Sequence, residues 1–214
     1  MVQLEFPPRG RGGRRPGAGR PVKKSGRGES HLRRAPFPER FPLHVTLRVR
    51  RDVGSLRTDG RFREIKHAFR YGRDRFGMRL AEFSVQANHV HLIVEAKDKR
   101  ALARGMQGLT IRVARGVNRA SGRRGKVFAD RYHARALKTL AEVRNAVIYV
   151  RRNFEKHQRE LGEWTHPWLL DPYSSMSGEA LWHLEPDEHG ELVGTMVVAE
   201  PTTWLLRRGA SPSA

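Results

Sequence analysis

The chain has no cysteine in 214 residues. That excludes a disulfide scaffold and any Cys-ligated zinc or iron–sulfur centre. No apolar run approaches the ~18 residues of a membrane span. The first residues, "MVQLEFPPRGRGG", lack the apolar centre of a signal peptide. The expectation is therefore a cytoplasmic protein with no membrane partner. Hydrophobic residues make up only 38%, low enough that part of the chain should stay outside any core. Acidic side chains are also scarce, 22 against 42 Lys+Arg, which leaves a net charge of +20. The excess is not confined to a tail: residues 44–170 carry +17, residues 1–43 carry +8 and residues 171–214 carry −5. A basic foldable region points to a polyanion, and so to nucleic acid. The plainer alternative is a generically basic surface.

What remains falls into three parts. Residues 1–41 are a basic arm rich in Pro, Gly and Arg, expected to be disordered. Within it, Gly19-Arg20-Pro21 resembles the centre of an AT-hook, which would put Arg20 in a narrow minor groove. A non-specific electrostatic arm is the simpler reading. Residues 42–161 alternate strand and helix patterns. "HVTLRVR" (44–50) has strict period two. Residues 61–76 space Phe62, Ile65, Phe69 and Phe76 as a helix. Residues 79–86 and 89–96 read as a hairpin turning near Ala87-Asn88. Leu102, Met106, Leu109, Val113 and Val117 form a helical stripe over 99–121. Residues 126–137 read as a strand, and 139–161 as a helix with Val143, Val147, Val150, Phe154 and Leu161 on its stripe. The order β-α-β-β-α-β matches a ferredoxin-like α+β fold, an antiparallel sheet with helices on one face. The last helix is added to that plan. Residues 162–214 read as a partly packed extension and an acidic disordered tail.

"QANHVHLIVEA" (86–96) places two imidazoles in an otherwise apolar strand. Alternation puts Val90, Leu92, Val94 and Ala96 on one face, and His89, His91, Ile93 and Glu95 on the other. With helices on the first face, both histidines should stand on an open one. Residues i and i+2 lie ~7 Å apart at Cα, close enough for two rings to converge on one divalent ion. In the ferredoxin-like order, His44, Thr46 and Arg48 of the first strand border the pair. A bare His-x-His is more often structural, and a metal needs at least one further ligand.

The last helix offers one. At 100° per residue, Tyr149 and Asn153 lie within 40° of each other and off the apolar stripe. Lys156 shares Tyr149's side, and Arg151 and Arg152 flank it. A tyrosine hydroxyl beside a divalent metal and cations suits attack on a phosphodiester. Tyr132 and Tyr71 are rivals, but neither has an Asn or Gln one helical turn on.

"NHVHLIVE" followed by "VIYVRRN" resembles the single-tyrosine HUH transposases: the transposases of IS200-like insertion sequences and their REP-associated tyrosine transposase relatives. "HVTLRVR", "FGMRLAEFSVQANHVHLIVEA" and "VFADRYHARAL" are similar to the family's strands. The resemblance spans residues 42–158. It implies a bacterial, nucleoid-associated enzyme that cleaves and rejoins single-stranded DNA with hairpin ends through a 5′-phosphotyrosine. It implies His89 and His91 as ligands of Mg²⁺ or Mn²⁺, Asn153 as the residue completing the set, and Tyr149 as nucleophile. Many relatives follow this Asn with Pro, where this chain has Phe154. Arg48, Arg131, Arg135 and Lys156 are the expected DNA contacts beside Arg20. Both monomers and helix-exchanged homodimers occur in the family. Two other classes remain: a non-cleaving hairpin DNA- or RNA-binding module with an RRM-like sheet, and a small-molecule HxH metallohydrolase, which the charge disfavours.

Overall fold

A computed structural model describes residues 36–160, 171–177, 182–186 and 192–210. The strands are β1 (Leu43–Arg48), β2 (Asp74–Arg75), β3 (Met78–Val85), β4 (His89–Ala96), β5 (His133–Ala136), β6 (Trp182–Pro186) and β7 (Leu192–Met196). The helices are α1 (Asp59–Gly72), α2 (Lys99–Ala120), α3 (Leu140–Glu160) and α4 (Trp204–Ala210). The main sheet is antiparallel, ordered β2-β3-β4-β1-β5. Setting aside the two-residue β2, this is the ferredoxin-like order. Strands β6 and β7 form a separate hairpin.

The two faces of the sheet carry two cores. Val90, Leu92, Val94 and Ala96 point toward α1 and α2, packing with Phe62, Ile65, Phe69, Leu102, Met106, Leu109, Val113 and Val117. The stripes read from periodicity are the ones buried here. The other face is not open, as the strand pattern alone suggested. Ala81 and Ile93 lie there beneath Val143, Ala146, Val147 and Val150 of α3 and Leu206 of α4. The reason is already in β4: Ile93 shares a face with the histidines, and an apolar side chain there needs cover.

A β-bulge makes that second face possible. The β3–β4 register shifts between Leu80 and Glu82. Without the extra residue, Glu82 would share Leu80's face and enter the apolar core. With it, Glu82 faces α3, where Arg151 Nη2 donates to Glu82 Oε1 at 2.5 Å. Ser175 Oγ also donates to this carboxylate, and Arg151 Nη1 reaches Ala210 O at 3.3 Å. One buried carboxylate thus ties together β3, α3 and the C-terminal segment.

Three expected elements differ. Helix α1 stops at Gly72, and Phe76 is not on its stripe. Arg75 pairs with Met78 across a two-residue turn in which Phe76 (φ 58°) and Gly77 (φ 75°) both take left-handed backbone, the geometry of a tight hairpin. Phe76 is exposed there. The strand expected over 126–137 shortens to His133–Ala136. Residues 127–129 still bond to β1's continuation, through Arg50 N to Val127 O and Ala129 N to Arg48 O, both at 2.9 Å. Asp130 breaks the run by accepting from the Arg131 amide at 2.7 Å, a local turn that competes with the ladder.

The third concerns the C-terminal segment, expected as a partly packed extension and an acidic disordered tail. Residues 171–177 lie along β3, with Val85 N donating to Tyr173 O and Ser175 N to Phe83 O at 2.9 Å each. Arg57 forms a two-pronged pair with Asp171, at 2.7 and 3.1 Å. Leu206 of α4 is fully buried. Glu95 anchors that helix: its carboxylate accepts from the Thr203 amide and hydroxyl, each at 2.7 Å, and from the Thr202 hydroxyl at 2.8 Å. Composition concealed this, because a few buried contacts hold an otherwise polar stretch. Glu95→Gln would set an amide NH₂ against those backbone donors. We expect a loss of about 1–3 kcal/mol in urea unfolding. An unchanged midpoint would mean that Glu95 does not hold the segment.

Candidate active site

Four elements meet on the α3 side of the sheet. Strand β4 contributes His89 and His91. The β1–β4 register sets Arg48 opposite His89, Thr46 opposite His91 and His44 opposite Ile93. On the other side of β1, His133 of β5 lies opposite Thr46 and Arg135 opposite His44. Helix α3 crosses above and brings Tyr149 down.

His91 sits at the centre and is 5% exposed. Its Nδ1 is 3.2 Å from Thr46 Oγ1 and 3.2 Å from His44 Nε2. Its Nε2 is 3.5 Å from Tyr149 Oη. The His89 and His91 rings are edge to face with centroids 4.6 Å apart, and the Tyr149 ring stands 5.1 Å from that of His91. His89 Nδ1 meets Asn88 Oδ1 at 2.6 Å. His44 is held neutral: burial first, then the Arg135 and His133 charges, lower its pKa to about 4.

Tyr149 is 39% exposed at the edge of α3's apolar stripe, so its hydroxyl faces both His91 and solvent. Asn153, one turn on, differs from its sequence-based placement. It continues the buried stripe after Val150, is 1% exposed, and neither side-chain Oδ1 nor Nδ2 has a hydrogen-bond partner. A buried amide with no partner is costly unless something absent from the protein alone completes it. Asn153→Leu keeps the shape and removes the orphaned atoms. We expect the protein to gain about 1–2 kcal/mol in chemical unfolding. A loss of stability would mean the amide is satisfied in solution.

The expected cations fall unevenly. Arg48 and Arg135 are exposed on the histidine face. Arg131 lies just before β5, half-buried. Lys156 is within α3, but its side chain lies outside the described residues, as does Arg20. The rival tyrosines are elsewhere. Tyr132 packs against the α1/α2 core, and Tyr71 is on α1. Tyr173 packs its ring 4.7 Å from Phe62 with Arg57 stacked over it at 4.3 Å. Sequence reading missed His133, Glu82 and the contact of Asn88 with His89. The β5 register gives His133 its place, and the bulge gives Glu82 its own; neither has a local sequence signal.

The family described as "Transposase IS200 like" matches residues 40–153. The match covers more than half of the chain and includes both histidines, Tyr149 and Asn153. The chain belongs to the IS200-like transposase family. No curated protein matches its sequence. Among solved structures, it is similar to a REP-associated tyrosine transposase bound to a REP hairpin, at 18% identity and TM-score 0.49, covering 69% of this chain and 82% of that one. It is also similar to a protein of Deinococcus radiodurans R1 described as a transposase, at 16% identity and TM-score 0.39, covering 67% and 100%. A third is a bacterial tRNA(His) guanylyltransferase-like protein in complex with GTP, at 14% identity and TM-score 0.42, covering 59% and 68%. Among the described residues no helix is long and apolar enough to cross a membrane.

Proposed function

We propose that this transposase cleaves and rejoins single-stranded DNA through a covalent 5′-phosphotyrosine on Tyr149. The observation that carries the reading is the approach of Tyr149 Oη to within 3.5 Å of His91 Nε2, between residues 58 positions apart. A tyrosine placed only for packing would not need its hydroxyl at a second functional group.

Two imidazoles on one strand face and an unpartnered buried amide one helical turn from the tyrosine fit a hard divalent cation with mixed N/O ligands. His89, His91 and Asn153 would hold Mg²⁺ or Mn²⁺. Such an ion, when bound, polarises a phosphate oxygen and offsets the charge gathering there. Tyr149 Oη forms the new bond to phosphorus in line with the bond that breaks. The departing 3′ oxygen takes a proton as the tyrosine loses one. A second 3′-hydroxyl reverses the step, so strands exchange without an external energy source. Arg48 and Arg135, exposed beside the histidines, would contact flanking phosphates. A single strand is required because a stacked duplex would not admit one phosphate beneath α3.

His91 and Tyr149 meet within one chain, which supports a site formed within one protomer, and a helix-exchanged homodimer would form the same site across two. The basic arm around Arg20 would add affinity but not set the cut position. Partners with hairpin ends belong to the same reading.

The test is a labelled single-stranded oligonucleotide incubated with protein and Mn²⁺, then run on a denaturing gel. A protein-linked band that disappears with chelator supports the reading. Tight binding with no covalent band on any hairpin-bearing strand would make the protein a non-cleaving binding module instead.

A further inference from the structure

We infer that Thr46 and Asn88 are positioning residues that fix the tautomers of the two histidines, Thr46 acting on His91 with His44 as its second partner, and Asn88 acting on His89. This rests on the metal-site reading above and deepens it.

A neutral imidazole has one N–H and one lone pair. A nitrogen can ligate a cation only through its lone pair, so the other must carry the hydrogen and, when buried, donate it. Both histidines meet this need in the same way from unrelated parts of the chain. His89 Nδ1 has Asn88 Oδ1 at 2.6 Å, supplied by the β3–β4 turn. His91 Nδ1 has Thr46 Oγ1 at 3.2 Å and His44 Nε2 at 3.2 Å, supplied by β1. The Asn88 amide oxygen can only accept, which places the hydrogen of His89 on Nδ1, and Thr46 Oγ1 takes the same role toward His91, so that each ring carries its lone pair on Nε2. For His91 that lone pair faces the space shared with Tyr149 Oη.

The rings also have little freedom to turn. The His89 ring stands at 84° to that of His91, the Tyr149 ring at 77°, and the His44 ring is 5.2 Å away. The β1–β4 ladder fixes Thr46 directly across from His91. A threonine there is more than a β-former: its methyl suits the strand, while its hydroxyl alone reaches the ring.

The experiment uses the full chain, labelled with ¹⁵N-histidine, at pH 8 without metal. The two rings are assigned with His89→Gln and His91→Gln. We expect both to show the Nδ1–H tautomer. Thr46→Val should scramble the pattern of His91 and leave His89 alone; Asn88→Ala should do the reverse. Thr46→Ser should restore the wild-type pattern. Mn²⁺ affinity, measured by electron paramagnetic resonance, should fall about tenfold in Thr46→Val and Asn88→Ala and recover in Thr46→Ser. Cleavage kcat should fall with KM for the oligonucleotide unchanged. An Nε2–H tautomer at His91 in wild type, or an unchanged pattern and Mn²⁺ affinity in Thr46→Val, would overturn the inference. Wild type that shows Nδ1–H at both rings yet binds no Mn²⁺ would sink the metal reading and leave the positioning assignment standing.

Discussion

Tyr149→Phe is expected to abolish covalent capture of single-stranded DNA, lowering it by at least about 10³-fold, while oligonucleotide and Mn²⁺ binding stay near wild type. The substitution removes one oxygen. The ring keeps its contacts with His91 and His44, and the half-exposed hydroxyl makes no buried bond whose loss would unfold α3. The defect should therefore be chemical, because the variant lacks only the proposed nucleophile. Peptide mapping of the wild-type adduct should find the nucleotide on Tyr149. Finding it on Tyr132 or Tyr71 would overturn the assignment, because Tyr132 packs against the α1/α2 core and Tyr71 lies on α1. A Tyr149→Phe protein that still forms an adduct would do the same.

The histidines should each be needed for cleavage but should differ in their cost to the fold. His89→Ala is expected to lose cleavage by about 10²-fold or more with a melting temperature close to wild type, since its ring is half-exposed. His91→Ala should lose cleavage as completely and also unfold earlier. Its ring is buried, so removal leaves a cavity and strips Thr46 and His44 of a shared partner, a loss of about 1–3 kcal/mol. Thermal melts and gel assays on the two variants separate these effects. If His91→Ala melts low but its folded fraction still cleaves, His91 is a core residue and the site reading fails.

Much of this was legible in the linear chain. Period two in 44–50 and 89–96 assigned both central strands and the faces of their side chains, because side chains alternate faces along an unbulged strand. Helical stripes identified α1, α2 and α3 for the same reason, and their register put Tyr149 off its apolar stripe. The two histidines stood out because imidazoles are costly to keep in an apolar strand, and their pairing with a distant Tyr and Asn came from the resemblance of "NHVHLIVE" and "VIYVRRN" to the family's motifs. Charge along the chain pointed to a polyanion without any fold.

Tertiary structure decided the rest. Whether the histidine face was open depended on what covers Ile93, and the cover comes from α3 and from Leu206, more than a hundred residues away. Burial of Asn153 depended on that same packing, which a helical wheel drawn on α3 alone does not contain. The bulge that turns Glu82 toward Arg151 leaves no mark in residue types, since one inserted position changes parity without changing composition. Asp171, Thr202 and Thr203 look like tail residues until Arg57 and Glu95 are beside them. The sequence determined the local elements and the chemistry they carry, because those follow from backbone period and side-chain type. The partners came from the fold, because a contact between distant segments is settled only by the free energy of burying both at once.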